Sequence, residues 1–183
     1  MMNFTFNPKG FDTLAEQLDT AVALKATVRT LNEEGRRFGT QTVKYVREEY
    51  NIKASTLKSY IKQNRANKNE LEFTIVIRSS PLSLSRFGLR SKNVRTKRGM
   101  RKGVTVKVFR KKKRKIVKHA FSPTGKQIFK REGSQRLPIS KLTTLSAPQM
   151  FKSDTIEDGY ETVEQHLPKT FERNYNFYLS KIK

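Results

Sequence analysis

No cysteine and no tryptophan occurs among the 183 residues. The lack of cysteine excludes disulfides, thiolate zinc sites, iron–sulfur clusters and cysteine nucleophiles. Long apolar runs are missing too. Apolar residues make up 35% of the chain, and no stretch approaches the ~18–20 that a transmembrane helix needs. No membrane partner is therefore expected. The opening residues, MMNFTFNPKGFD, hold no basic segment followed by an apolar run, so no signal peptide is expected. Histidine is scarce. His119 and His166 are the only two, and neither has a second ligand at metal-binding spacing. Walker, GxGxxG, GxSxG and HExxH motifs are all missing. No metal, no cofactor and no catalytic residue is expected, and the chain reads as a non-enzyme.

Acidic residues are the next scarcity, and it is local. From Phe73 to Arg131 there is no Asp or Glu, against 20 Lys or Arg. Residues 1–72 carry 12 basic and 9 acidic side chains, and residues 132–183 carry 7 of each. The middle third thus holds +20 of a net charge of +23. One basic block points to an anionic partner. Residues 90–102, RSKNVRTKRGMRK, read as a long mobile loop that includes Arg98, Arg101 and Lys102. Residues 110–115, RKKKRK, lie between two alternating runs and read as a hairpin tip of six cations: Arg110, Lys111, Lys112, Lys113, Arg114 and Lys115. Self-repulsion within one Debye length of ~8 Å predicts that both segments order mainly on assembly. Between residues 90 and 115 the only aromatic is Phe109, so base stacking is not expected. Contact with double-stranded DNA would rest on phosphates, without sequence specificity.

The remaining pattern is mixed. Residues 3–6 suit a short strand or an arm. Phe11 to about Tyr50 has helical spacing, with a bend expected at Gly35 and Gly39. A second helix is predicted over 54–65, capped by Ser55. Residues 70–78 alternate through Leu71, Phe73, Ile75 and Ile77 as a half-buried strand. Leu82, Leu84 and Phe87 suit an edge strand, 103–109 alternates through Val104, Val106 and Val108, and 126–131 suits another strand. In RLPISKL, Leu137 and Ile139 are candidates to fill a core. Residues 153–183 return to helix, with Ser153 as cap and a kink expected at Pro168. Its stripe runs through Ile156, Tyr160, Val163, Leu167, Phe171, Tyr175, Tyr178 and Ile182. The predicted fold is α+β: a small antiparallel sheet of three or four strands, flanked by a long N-terminal helix, with a long C-terminal helix. The predicted domains are 1–152, bearing the basic loops 90–102 and 110–115, and a helical extension over 153–183. That helix is longer than a small sheet needs. Tyr160, Phe171, Tyr175 and Tyr178 are therefore candidate intersubunit residues.

One stretch is more specific. RLPISKLTTLSAPQM at 136–150 resembles the R-L-P-I-x-x-L-x-G-P-S-V-P-Q-M signature of the tailed-phage minor tail protein Z family. Upstream, GVTVKVF, a basic turn and AFSPTGKQIFKREGSQ resemble that family's strand, basic turn, A-F and G-x-x-x-F-x-R run. The matching positions include Phe121, Phe129, Arg136, Leu137, Pro138, Ile139, Pro148, Gln149 and Met150. Thr144 to Ala147 depart from the family's Gly-Pro-Ser-Val. The resemblance covers about 40–150.

It implies a virion structural protein for tail completion at the head-proximal end of a tail. It further implies a neck ring, six subunits being the expected number, around the channel that DNA crosses. The implied partners are further copies of the chain, tail terminator or tail tube proteins, and head-side connector proteins. The implied location is the virion tail or neck, with the host cytoplasm during assembly. The basic block would face DNA or acidic neighbouring rings. The competing reading is a sequence-nonspecific nucleic-acid-binding protein of the ribosome-associated or chromatin type.

Overall fold

The computed structural model describes residues 2–6, 20–96 and 99–181, with side chains described over 21–91 and 103–181. Among these residues the order is β1 (Met2–Phe6), α1 (Thr20–Glu49), α2 (Ala54–Lys58), β2 (Ile61–Asn64), β3 (Phe73–Ile77), β4 (Pro81–Ser83), β5 (Arg90–Thr96), β6 (Gly99–Val106), β7 (Lys115–Val117), β8 (Ala120–Phe121), β9 (Phe129–Arg131), β10 (Ile139–Lys141), β11 (Thr143–Ser146), α3 (Ala147–Met150) and α4 (Ser153–Leu179). The α+β class holds, with a long helix towards each end and every described strand pair antiparallel. The strands are shorter and more numerous than expected. They form four small sheets, ordered β1-β3-β2, β10-β9-β8, β11-β4 and β5-β6-β7.

The chain divides into two compact units. The first comprises residues 1–43, 61–78 and 151–183, and the second 44–60 and 79–150. The C-terminal helix falls within the first unit. There the alternation of Phe73, Ile75 and Ile77 buries all three side chains on one side of β3. α1 lies against that side at very short range. A Cβ on Gly35 would sit 2.2 Å from a ring atom of Phe73. Gly35 and Gly39 were expected to bend α1. They instead lie within one unbroken helix, and Gly35 is the point where its backbone meets an aromatic ring.

α4 buries Ile156, Gly159, Val163, Leu167, Thr170 and Asn174. Gly159 meets Phe38, whose ring lies 2.9 Å from where a Cβ would stand. Polar contacts fix the register against α1. Thr170 donates to the buried Glu34 at 2.6 Å, and Asn174 donates to Thr30 at 3.1 Å. Glu34 also accepts from Arg37 at 3.0 Å, so its charge is both hydrogen-bonded and paired. Of the stripe expected to seek a neighbouring subunit, Ile156, Val163 and Leu167 are buried in the first unit, while Tyr160, Phe171, Tyr175 and Tyr178 are half-buried. Tyr160 meets Phe38 in a tilted ring pair with centroids 4.9 Å apart. Phe171 and Tyr175 are 6.1 Å apart. Tyr178 meets the edge of Phe177, and the Arg29 guanidinium lies 4.6 Å over the Phe177 ring.

Other expectations change. The helix predicted over 54–65 stops at Lys58, because Ile61–Asn64 pairs with Ile77–Thr74 of β3. Neither Ser55 nor Ser153 caps its helix. The cap positions are Lys53 and Lys152, without a side-chain cap bond. Pro168 lies inside α4, which continues to Leu179. Residues 11–19 and Ile182, placed in helices by their spacing, lie outside the described residues.

The second unit has its own core. Val104, Val106 and Ile128 form it, with Leu84, Leu89, Val108, Val117, Ala120 and Leu142 packed around. Residues 90–102, expected as a loop, are largely a hairpin: β5 pairs with β6 from Arg90↔Thr105 to Thr96↔Gly99. The reason lies at the far end of β6, where buried Val104 and Val106 anchor the strand. Exposed like charges repel by only about 1 kcal/mol at 4 Å in water, which is too little to undo a seven-residue ladder on an anchored strand.

Candidate anion-binding surface

The division into units separates charge more sharply than the sequence thirds do. The second unit holds 25 Lys or Arg and 3 Asp or Glu, a net +22. The first holds 14 and 13, a net +1. The added cations come from residues 44–60 and from Arg136 and Lys141, which flank the block in sequence and join it in the fold.

The tip is built on a fixed base. After β6 the chain forms an isolated bridge between Phe109 and Tyr50, whose rings are 5.1 Å apart. The Asn51 N–H donates to Val108 O at 2.7 Å, and its side-chain amide donates to Lys107 O at 3.0 Å. The Arg110 N–H donates to Glu49 O at 2.8 Å. β7 then returns along β6, with Val106 opposite Lys115. The expected turn is present, but its root is fastened by four backbone and side-chain contacts rather than left free.

Its six cations are not equivalent. Arg110, Lys111, Lys112, Lys113 and Lys115 are exposed. The Lys112 ammonium lies 4.6 Å over the Phe109 ring, a cation–π contact. Arg114 is half-buried and donates to Gly88 O and, at 3.3 Å, to Thr105 O. It therefore ties the loop to the unit's own backbone. Arg101 and Lys102 are placed in β6 opposite Val94 and Asn93. Their side chains, and all of Arg98, lie outside the described residues.

A second basic feature was not legible. Lys53, Arg86, Lys126 and Lys141, with Thr56, Ser83, Ser85 and Gln127, line a recess of about 580 Å³ that contains no acidic side chain. All four cations are exposed. They come from the cap position before α2, the single turn after β4, the turn before β9, and β10. Each is an isolated charge in sequence, so no run or spacing announces them.

The family-signature residues divide into supports and exposed groups. Phe121 and Phe129 are 6.1 Å apart, and the Arg131 guanidinium lies 5.1 Å over Phe121. Arg131 also donates to Arg136 O. Gln149 accepts from the Ser146 N–H at 2.9 Å and holds the entry to α3. Met150 is buried, and Pro148 is half-buried. Arg136 and Pro138 are exposed. Leu137 and Ile139 do not fill the core. They are 65% and 40% exposed, at the edge of the β10-β9-β8 sheet. Ile128 and Leu142 take the core positions, joined by a Leu142 N–H to Ile128 O bond of 2.9 Å.

The histidines are placed without partners for a metal. His119 sits in a turn at φ 59°, and His166 Nδ1 lies 2.7 Å from Thr162 O. Among the described residues no group of three or more His, Cys, Asp or Glu is placed to hold a metal. What the basic unit can do chemically is attract and hold anions.

In comparison with known proteins, the family model described as prophage minor tail protein Z (GPZ) matches residues 9–183. No curated protein and no solved structure matches the chain.

Proposed function

From the premise that the chain belongs to the prophage minor tail protein Z family, and so is a structural protein of the phage tail, we propose that it completes the tail at its head-proximal end. Copies form a ring there, around the channel that DNA crosses. Tail terminator or tail tube proteins lie on one side and head-side connector proteins on the other. The observation that carries this reading is the charge partition. A unit with 25 cations and 3 acids suits the wall of a conduit for a polyanion. The exposed tip at 110–113 lacks any amide or aromatic to read a base. Phosphate contact without sequence readout is what passage of a whole genome requires.

Purified virions test the reading. The protein should be found in them, and labelled antibody should mark the junction of head and tail. Particles made without it should carry tails that fail to join heads. Absence from virions, together with recovery from host ribosomes or nucleoid, would instead favour a general nucleic-acid-binding protein.

A further inference from the structure

We propose that the basic recess of the second unit is the docking site for the acidic outer face of α4 in a second copy of the chain. The inference rests on the ring reading and names the contact that closes the ring.

The recess presents Lys53, Arg86, Lys126 and Lys141 with no acid to neutralise them. None of the four has an ion-pair partner among the described residues. Its volume of about 580 Å³ accommodates several side chains at once. The same chain carries a complement. Asp154, Glu157, Asp158, Glu161 and Glu164 on α4 are all exposed, and none is ion-paired among the described residues.

At ~100° per residue these five fall within one arc of about 120°, opposite the buried face of Ile156, Val163, Leu167 and Thr170. They make a stripe ~15 Å long at 1.5 Å per residue. No Lys or Arg interrupts it between Ser153 and Pro168. The helix dipole accounts for an acid in the first turn, but its effect fades beyond that turn. Glu161 and Glu164 lie further along and need another cause.

Two different patches that fit each other on one chain make a head-to-tail contact. Such contacts generate a ring when the rotation closes. Opposite charge also steers the encounter and sets the register.

Charge exchange tests the contact in the full-length protein. One variant reverses the recess: Lys53→Glu, Lys126→Glu and Lys141→Glu. A second reverses the helix: Glu157→Lys, Glu161→Lys and Glu164→Lys. All six positions are exposed, so both variants should fold. Sedimentation velocity at low salt should show self-association of the wild type. Each variant alone should associate on the order of 100-fold more weakly. An equimolar mixture of the two should regain the wild-type state, because every recess again meets a helix of opposite charge.

A wild type that remains monomeric, or variants that associate as the wild type does, would overturn the proposal. So would a mixture that stays monomeric. Loss of DNA retention by the recess variant with unchanged self-association would assign the recess to nucleic acid instead. The outcome is separate from the protein's presence in virions, on which the tail reading stands or falls.

Discussion

Replacing Gly35 by Ala should destabilise the first unit although the position lies in mid-helix. Helix propensity alone predicts the opposite, a gain of about 1 kcal/mol. The added Cβ would stand 2.2 Å, 2.3 Å and 2.5 Å from three atoms of the Phe73 ring. Phe73 is 1% exposed and lies on β3, so its ring cannot swing into solvent without leaving the core. Overpacking of this kind costs about 1–3 kcal/mol, and losing the burial of an aromatic ring costs about as much again. The net loss should be about 2 kcal/mol. With a urea slope of about 2 kcal/mol/M, the unfolding midpoint should fall by roughly 1 M. Gly39→Ala is the matched control. Its new Cβ would meet the end of the exposed Gln63 side chain at 2.9 Å and Ile75 at 3.4 Å, so the helix gain should survive. Combining Gly35→Ala with Phe73→Ala should cost little beyond Phe73→Ala alone, because alanine lacks the three ring carbons that the new Cβ meets. A Gly35→Ala protein that unfolds at or above the wild-type midpoint would refute the close approach of α1 to β3.

Five further outcomes are expected. Thr170→Val removes the 2.6 Å donor to buried Glu34 and should lower stability by about 1–3 kcal/mol in urea unfolding. Truncation after Leu167 deletes buried Thr170 and Asn174 and should unfold the first unit, seen as loss of cooperative melting by circular dichroism. Burial pushes the Glu33 carboxyl up, but hydrogen bonds from Arg29 and Asn174 and the charge of Arg173 outweigh it and hold it below its ordinary value. That contribution is present above the ordinary carboxylate range and is lost as pH falls through the folded value. The stability gap between wild type and Glu33→Gln should therefore close on going from pH 7 to below ~4. At the tip, exchanging Lys111, Lys112 and Lys113 for Arg should leave assembly and infectivity near normal, and exchanging them for Glu should abolish one or both. Arg114→Lys should instead lower thermal stability, because the shorter ammonium does not occupy the place of the one guanidinium nitrogen that donates to both the Gly88 and the Thr105 carbonyls.

The parts of the fold legible in sequence are those whose period reports one neighbour at a time. The alternation of Phe73, Ile75 and Ile77 predicts a strand buried on one side, and β3 is that strand. The three- and four-residue steps from Ile156 predict the helix observed as α4. What failed depended on a partner distant in the chain. Ile61–Asn64 continues a helical spacing, yet joins a sheet because β3 offers it a ladder. Gly35 reads as a helix breaker and acts as a contact surface. Leu137 and Ile139 read as core residues beside a proline, but Ile128 and Leu142 already fill that core.

Charge follows the same logic. The run at 110–115 was visible as a basic tip because its residues are adjacent. The separate roles within it were not, since Arg114 differs from its neighbours only through Gly88 and Thr105, 26 and 9 residues away. The recess is the extreme case: its four cations span residues 53 to 141 and become one feature only when the fold gathers them. The unit carrying a net +22 repels itself, and that repulsion falls when an anion covers it. The first unit, nearly neutral overall, still exposes five acids in one stripe on α4. If the proposed contact holds, assembly should weaken with added salt more steeply than folding does, because that contact is made of exposed ion pairs while the cores that hold each unit together are apolar.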